Sequence, residues 1–267
     1  MIISVKGLWK EYGDNVVLEN VNLNVAEHEF VTIVGASGCG KTTFLRMLLG
    51  EEVVTRGTFL LDGKPLPDEP GPDRGIVFQR YSVFPHLTVL ENVMLGLEFA
   101  ASPLFGKLFG AARKQARDKA ESILQEVGLY DVRNSYASQL SGGMQQRLSI
   151  AQSVIREPRI LLLDEPFGAL DPGITDDMHK LILRLWEEHR MTIFMITHDI
   201  KEGFELGTRL LVFDKVRRDA QAQTAYGATI TYDLPLKSVD RNVAKEVMEQ
   251  TRRTEKFIQS TRLAVSQ

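Results

Sequence analysis

Polar and apolar residues alternate at the start of the chain, then give way to short continuous apolar runs. Val21, Leu23 and Val25 alternate with Asn22 and Asn24, the period of a half-buried antiparallel strand. Residues 2–34 as a whole read as strands, with Tyr12-Gly13 in the turn between the first two. Phe30-Val31-Thr32-Ile33-Val34 does not alternate; a β-branched run of that kind predicts a buried parallel strand. Phe44, Leu45, Leu48 and Leu49 then recur at helical spacing. Thr58 to Lys64 reads as a strand entering a turn, the proline-rich 65–72 as loop, and Gly75-Ile76-Val77-Phe78 as a short buried strand ending in Gln79.

From Thr88 the period becomes helical. Thr88 and Glu91 are spaced as a capping box opening a helix toward Phe99. A second helix, from about Ala111 to Val127, carries Ala116, Ala120, Ile123, Leu124 and Val127 on one face. Between them, residues 100–110 are apolar but broken by proline and glycine, and a third helix starts after Leu140-Ser141-Gly142-Gly143. Ile160-Leu161-Leu162-Leu163 is again a fully apolar strand. A helix after Pro172 aligns Met178, Leu181, Ile182, Leu185 and Trp186, and strands follow at 191–196, 209–213 and 228–232. Ser238 is placed to cap a last helix carrying Val239, Val243 and Val247, then Phe257 and Ile258. Strands alternating with helices predict an α/β fold with a mostly parallel sheet covered on both faces. The block 85–157 reads as a helical insertion.

Composition narrows the classes. With 267 residues the chain is long enough for one large domain or a core with an insertion. A net charge of −3 supplies no basic field for nucleic acid. The single cysteine, Cys39, excludes an intrachain disulfide and a multi-cysteine zinc site. The N-terminus does not read as a signal peptide, and no apolar run is long enough to cross a bilayer, so a membrane role would come through a partner.

The chemistry concentrates at strand ends. Gly35-Ala36-Ser37-Gly38-Cys39-Gly40-Lys41-Thr42 fits the phosphate-loop pattern G-x-x-x-x-G-K-[ST], and it has the required strand before it and helix after it. Such a loop aims backbone N–H groups and a helix N-terminus at phosphate oxygens. Lys41 would reach the β- and γ-phosphates, and Thr42 would ligate Mg²⁺. Asp164-Glu165 follows the strand 160–163, where ligands gather in open α/β sheets. Asp164 would hold Mg²⁺ through water, and Glu165 would polarise the attacking water. Ser141-Gly142-Gly143 ahead of a helix is a second anion site of N–H groups and a hydroxyl.

Leu140-Ser141-Gly142-Gly143-Met144-Gln145-Gln146 resembles the signature motif of ATP-binding-cassette (ABC) ATPases, and the resemblance runs from about Val5 to Asp233. It implies a P-loop NTPase (RecA-like) core at 1–84 and 158–237, with an antiparallel β-subdomain and the inserted α-helical subdomain 85–157; a helical tail at 238–267 lies beyond it. It also implies ATP and Mg²⁺ as cofactors, with Thr43 among the nucleotide contacts. The family works as a head-to-tail homodimer, in which Ser141 and Gly143 of one subunit would cap the nucleotide on the other and Asp171, in Ala169-Leu170-Asp171, would lie across the interface. Gln79 resembles the glutamine that touches Mg²⁺ and the attacking water, His198 the histidine on the γ-phosphate, and Tyr12 the aromatic that stacks on adenine. Residues 79–93 are similar to bacterial importer subunits. The chain is similar to the nitrate/sulfonate/taurine group, and its end at 208–217 to a branch associated with urea-type nitrogen compounds. The implied partners are integral-membrane permease subunits and a substrate-binding protein, without nucleic acid, at the cytoplasmic face of the inner membrane. A soluble ABC ATPase acting on ribosomes or DNA is the competing class, and the single cassette without sustained heptads speaks against it.

Two further expectations concern side chains. Cys39, near Lys41 and a helix N-terminus, is expected to favour its thiolate and to be alkylated in competition with ATP. Leu104, Phe105, Leu108 and Phe109 are expected either to face the permease or to fold onto their own subdomain.

Overall fold

A computed structural model describes residues 1–79, 82–101, 108–217 and 224–236. In chain order, β1 (Ile3–Tyr12), β2 (Asn15–Val25), β3 (Phe30–Gly35), α1 (Lys41–Leu49), β4 (Arg56–Leu61) and β5 (Lys64–Pro65) come first. Next are β6 (Arg74–Val77), α2 (Val89–Ala101), α3 (Gly110–Glu126), α4 (Gly142–Val154), β7 (Ile160–Asp164) and α5 (Pro172–His189). The chain then forms β8 (Thr192–Ile196), α6 (Ile200–Leu206), β9 (Arg209–Asp214) and β10 (Thr229–Pro235). Two units emerge: Met1–Gly71 with Thr192–Gln267, and Pro72–Met191.

The first unit contains an antiparallel sheet in the order β2-β1-β4-β5. Val21, Leu23 and Val25 are buried, while Asn22 and Asn24 are exposed, as their alternation requires. Two details differ from the sequence reading. Tyr12 is the last residue of β1, paired with Asn15, so the turn is Gly13-Asp14 alone. Lys64-Pro65, read as loop, pairs back onto Leu61 and Leu60. Asp62 and Gly63 both take positive φ, 51° and 75°, the two-residue geometry whose twist suits a hairpin. Pro65 is tolerated because β5 is the outer strand.

The same unit carries β9 and β8 in parallel on either side of β3, with β10 antiparallel on β9. Every residue of β3 and β8 is buried. Thr32, the polar residue inside β3, donates its hydroxyl to the Gly203 carbonyl at 3.0 Å. Arg209 on β9 grips Asp233 of β10 through two bonds of 2.6 Å and Glu29 at 3.1 Å. Those acids hold the guanidinium above its already high pKa, and the fork pins the antiparallel edge.

In the second unit β6 and β7 pair in parallel, and α2, α3 and α4 pack on one another. The capping box forms: the Glu91 carboxylate accepts from the Thr88 N–H at 2.8 Å, and the Thr88 hydroxyl accepts from the Glu91 N–H at 3.2 Å. The expected faces are buried, Ala116, Ala120, Ile123 and Leu124 on α3 and Met178 to Trp186 on α5. His189 and Glu126, 2.9 Å apart, tie the ends of these two helices. Phe109, just before α3, is 72% exposed, whereas Leu108 is half-buried. Leu104, Phe105 and the expected helix after Ser238 lie outside the described residues.

Candidate active site

In the first unit the phosphate loop runs from the end of β3 into α1. Gly35 has φ 145°, and a Cβ there would sit 2.1 Å from the Phe213 carbonyl oxygen. No side chain fits, because a main-chain atom of β9 occupies the space. Gly40 caps α1 with φ 85° and no side-chain cap bond. The N–H groups of the first turn lack intrahelical acceptors by construction, and a glycine cap supplies no side-chain acceptor for them. A Cβ on Gly40 would also meet Leu18 at 2.7 Å, so the β1–β2 hairpin lies directly on the loop. The Lys41 ammonium bends back over the loop, donating to the carbonyls of Gly35 at 2.7 Å and Ala36 at 3.0 Å. Ser37, Gly38 and Thr42 are exposed and Thr43 is half-buried. His198 is exposed just past β8, after Thr197 has donated to the Ile33 carbonyl at 3.1 Å. Tyr12 stands 46% exposed at the hairpin tip.

Cys39 departs from its expectation. Its side chain is buried, 4% exposed, and burial pushes the thiol pKa up against the weaker pull of Lys41. The residue turns inward, packing beneath the loop near Gly35, where the charged thiolate is disfavoured.

In the second unit β7 is buried from Ile160 to Leu163 and ends on half-buried Asp164. Glu165 follows with φ 49°, the left-handed region, which costs a non-glycine residue about 1–2 kcal/mol. The Gln79 amide, two residues beyond β6, donates to the Glu165 carboxylate at 3.2 Å. The structure therefore joins Gln79 to Glu165, residues far apart in sequence. Ser141 caps α4, its hydroxyl accepting from the Met144 N–H at 3.4 Å. Gly142 is exposed; Gly143 is buried against Ile174, where a Cβ would approach the side chain to 2.8 Å. Ile174 lies in the first turn of α5, whose cap is exposed Asp171 with no side-chain cap bond. Ser141, Gly143 and Asp171 thus share one neighbourhood.

The sequence reading passed over Asn92. It is fully buried, accepts from the Phe84 N–H at 2.8 Å, and donates to the carbonyls of Phe84, Leu87 and Thr88. Gln152 of α4 donates to it at 3.1 Å. It ties Phe84, Leu87 and Thr88 to α2. Its signal was a lone amide inside the apolar face of α2, which only the burial makes legible.

A glycine loop with its lysine between β3 and α1, and adjacent carboxylates at the end of a buried strand, define a P-loop ATPase. The profile of the ABC transporter family matches residues 18–168. The nitrate import ATP-binding protein of Synechocystis sp. is 44% identical over 200 residues, covering 75% of this chain and 71% of that protein. The aliphatic sulfonates import ATP-binding protein of Burkholderia ambifaria is 42% identical over 217 residues, 80% of this chain and 62% of that protein. Among solved structures, a dimeric ATP-binding cassette in a post-hydrolysis state bound to ADP and Pi superposes with TM-score 0.70 at 30% identity, covering 89% of this chain and all of that one. The chain belongs to the ABC transporter family, as an ATPase of the importer type.

Proposed function

We propose that this ATPase drives uptake of a small oxyanion through a separate membrane permease, working as a homodimer that closes on ATP. The named relatives handle nitrate and aliphatic sulfonates and cover at least 75% of this chain, which supports that substrate class. No described helix is long and apolar enough to cross a membrane, consistent with a distinct permease. A substrate-binding protein and attachment at the cytoplasmic face complete the reading.

The observation that carries the chemistry is Glu165. A half-buried carboxylate held at φ 49° and fixed by Gln79 is a strained residue at a strand end; strain of this kind persists where the surrounding structure enforces it for a purpose. Glu165 takes the proton of the attacking water, and Gln79 orients the carboxylate. Lys41 and the N–H groups of the loop bind the phosphates, His198 contacts the γ-phosphate, and Tyr12 stacks on adenine. The hydroxyl of Thr42, the amide of Gln79 and the carboxylate of Asp164 are the hard oxygen donors that Mg²⁺ prefers. When bound, the ion neutralises phosphate charge. Ser141 and Gly143 cap the nucleotide of the opposing subunit, with Asp171 beside them. ATP then favours the closed dimer because only there does it touch both subunits, and hydrolysis removes that difference in affinity.

Glu165→Gln keeps the shape and removes the basicity. Turnover is expected to fall roughly a thousandfold, about 4 kcal/mol of barrier, with ATP affinity retained. Light scattering should show an ATP-dependent dimer of this variant that disappears on adding Ser141→Arg. Normal hydrolysis, or a monomer with ATP bound, would overturn the reading. In vesicles carrying the permease and binding protein, nitrate or an alkanesulfonate should stimulate the ATPase; stimulation by urea alone would replace the substrate class.

A further inference from the structure

The end of β1 holds charged residues beside Tyr12 that the machinery described so far does not use. Lys10 and Tyr12 lie two residues apart, so they project from the same face of the strand. The Lys10 ammonium sits 4.6 Å from the centroid of the Tyr12 ring. It is itself buried, 7% exposed, and fixed by the Val53 carbonyl at 2.9 Å and the Glu52 carboxylate at 2.7 Å. Burial and then the nearby Glu52 carboxylate raise the pKa of the Tyr12 phenol, and Arg46 of α1 pulls against them. Yet the ring remains 46% exposed. A tyrosine covered on one face by a fixed ammonium, and still half open, is a held platform.

Its position relative to the loop follows from the strand register. Leu18, which touches Gly40, pairs with Lys10, and Tyr12 lies two residues further along β1. At about 3.4 Å per residue, the ring stands roughly 7 Å along the hairpin from that contact, the scale of the ribose between a base and its phosphates. We propose that Lys10 and Glu52 are positioning residues for the base: Glu52 and the Val53 carbonyl fix the Lys10 ammonium, which covers one face of the Tyr12 ring, so that its free face is set to stack on adenine. This rests on the reading of Tyr12 as the adenine contact. The ammonium has a second effect. It draws π-density from the ring and reduces the repulsion an electron-rich purine meets on the opposite face. The pair acts on the base alone, because neither residue belongs to the phosphate loop.

The test compares ATP with inorganic triphosphate, which lacks the base, in the full chain. Lys10→Met keeps the aliphatic stem and removes the charge. It is expected to weaken ATP about three- to fivefold and to leave triphosphate affinity unchanged, with Lys10→Arg restoring ATP binding. In a Tyr12→Ala background, Lys10→Met should have no further effect. The phenol of Tyr12, pushed up to about 12 mainly by burial and then by Glu52, should ionise at lower pH in Glu52→Gln, read as a difference spectrum against Tyr12→Phe. If Lys10→Met weakens triphosphate as much as ATP, leaves ATP unaffected, or acts equally without Tyr12, the positioning role is wrong while the platform stands. If Tyr12→Ala leaves ATP affinity unchanged, the platform itself is wrong and the positioning role falls with it.

Discussion

The two units present their candidate site residues by different means. In the unit carrying the loop, the main chain shapes the candidate site: a Cβ on Gly35 or Gly40 would collide with its neighbours, and even Lys41 is oriented by carbonyls. In the other unit, the candidate residues are side chains presented from ordinary elements: Glu165 after a strand, Gln79 after another, and Ser141 capping a helix. A main-chain site is sensitive to volume and indifferent to charge. A side-chain site tolerates a change of equal shape structurally and fails chemically.

A single methyl should break the first unit hardest. Gly35→Ala would drive a Cβ to 2.1 Å from the Phe213 carbonyl at φ 145°, so β3 and β9 must separate. A loss of about 3–4 kcal/mol is expected in denaturant unfolding, together with loss of nucleotide binding. Glu165→Gln should leave unfolding within about 0.5 kcal/mol of the parent, as an isosteric change does. Equal stability losses for the two variants would erase the comparison.

Cys39 sharpens the comparison at the next level. Its thiol is buried and its pKa is raised, so at a given pH above neutrality less thiolate is present than for a free cysteine. Alkylation in the native protein should run roughly a hundredfold slower than in denaturant, limited by local opening. Labelling at the rate of an exposed thiol would put the residue back at the mouth of the loop.

The smallest effect belongs to the second unit. Thr88→Ala removes the hydroxyl of the capping box and should cost about 1 kcal/mol. Hydrogen bonds from the Thr88 N–H and hydroxyl hold the Glu91 carboxyl below its usual pKa. The stabilisation is therefore complete above the ordinary carboxylate range and is lost as pH falls through the depressed native value. The gap between parent and Thr88→Ala in thermal unfolding should shrink between about pH 5 and pH 3. A gap constant across that range would show that Glu91 takes no part.

The sequence by itself determined what depends on local period and spacing. The alternation of Val21, Leu23 and Val25, the stripe on α5, the Thr88–Glu91 box and the glycine spacing from Gly35 to Gly40 are interactions between residues a few positions apart. Elements, caps and the phosphate loop were legible for that reason. The tertiary structure alone decided what depends on remote partners. It set a β9 carbonyl against Gly35, turned Cys39 inward, brought the Gln79 amide to Glu165 across 86 positions, and fastened Lys10 to Glu52 over the Tyr12 ring. Burial and long-range hydrogen bonds arise only once separate elements pack, and they fix a side chain's direction and proton affinity without leaving any period in the chain.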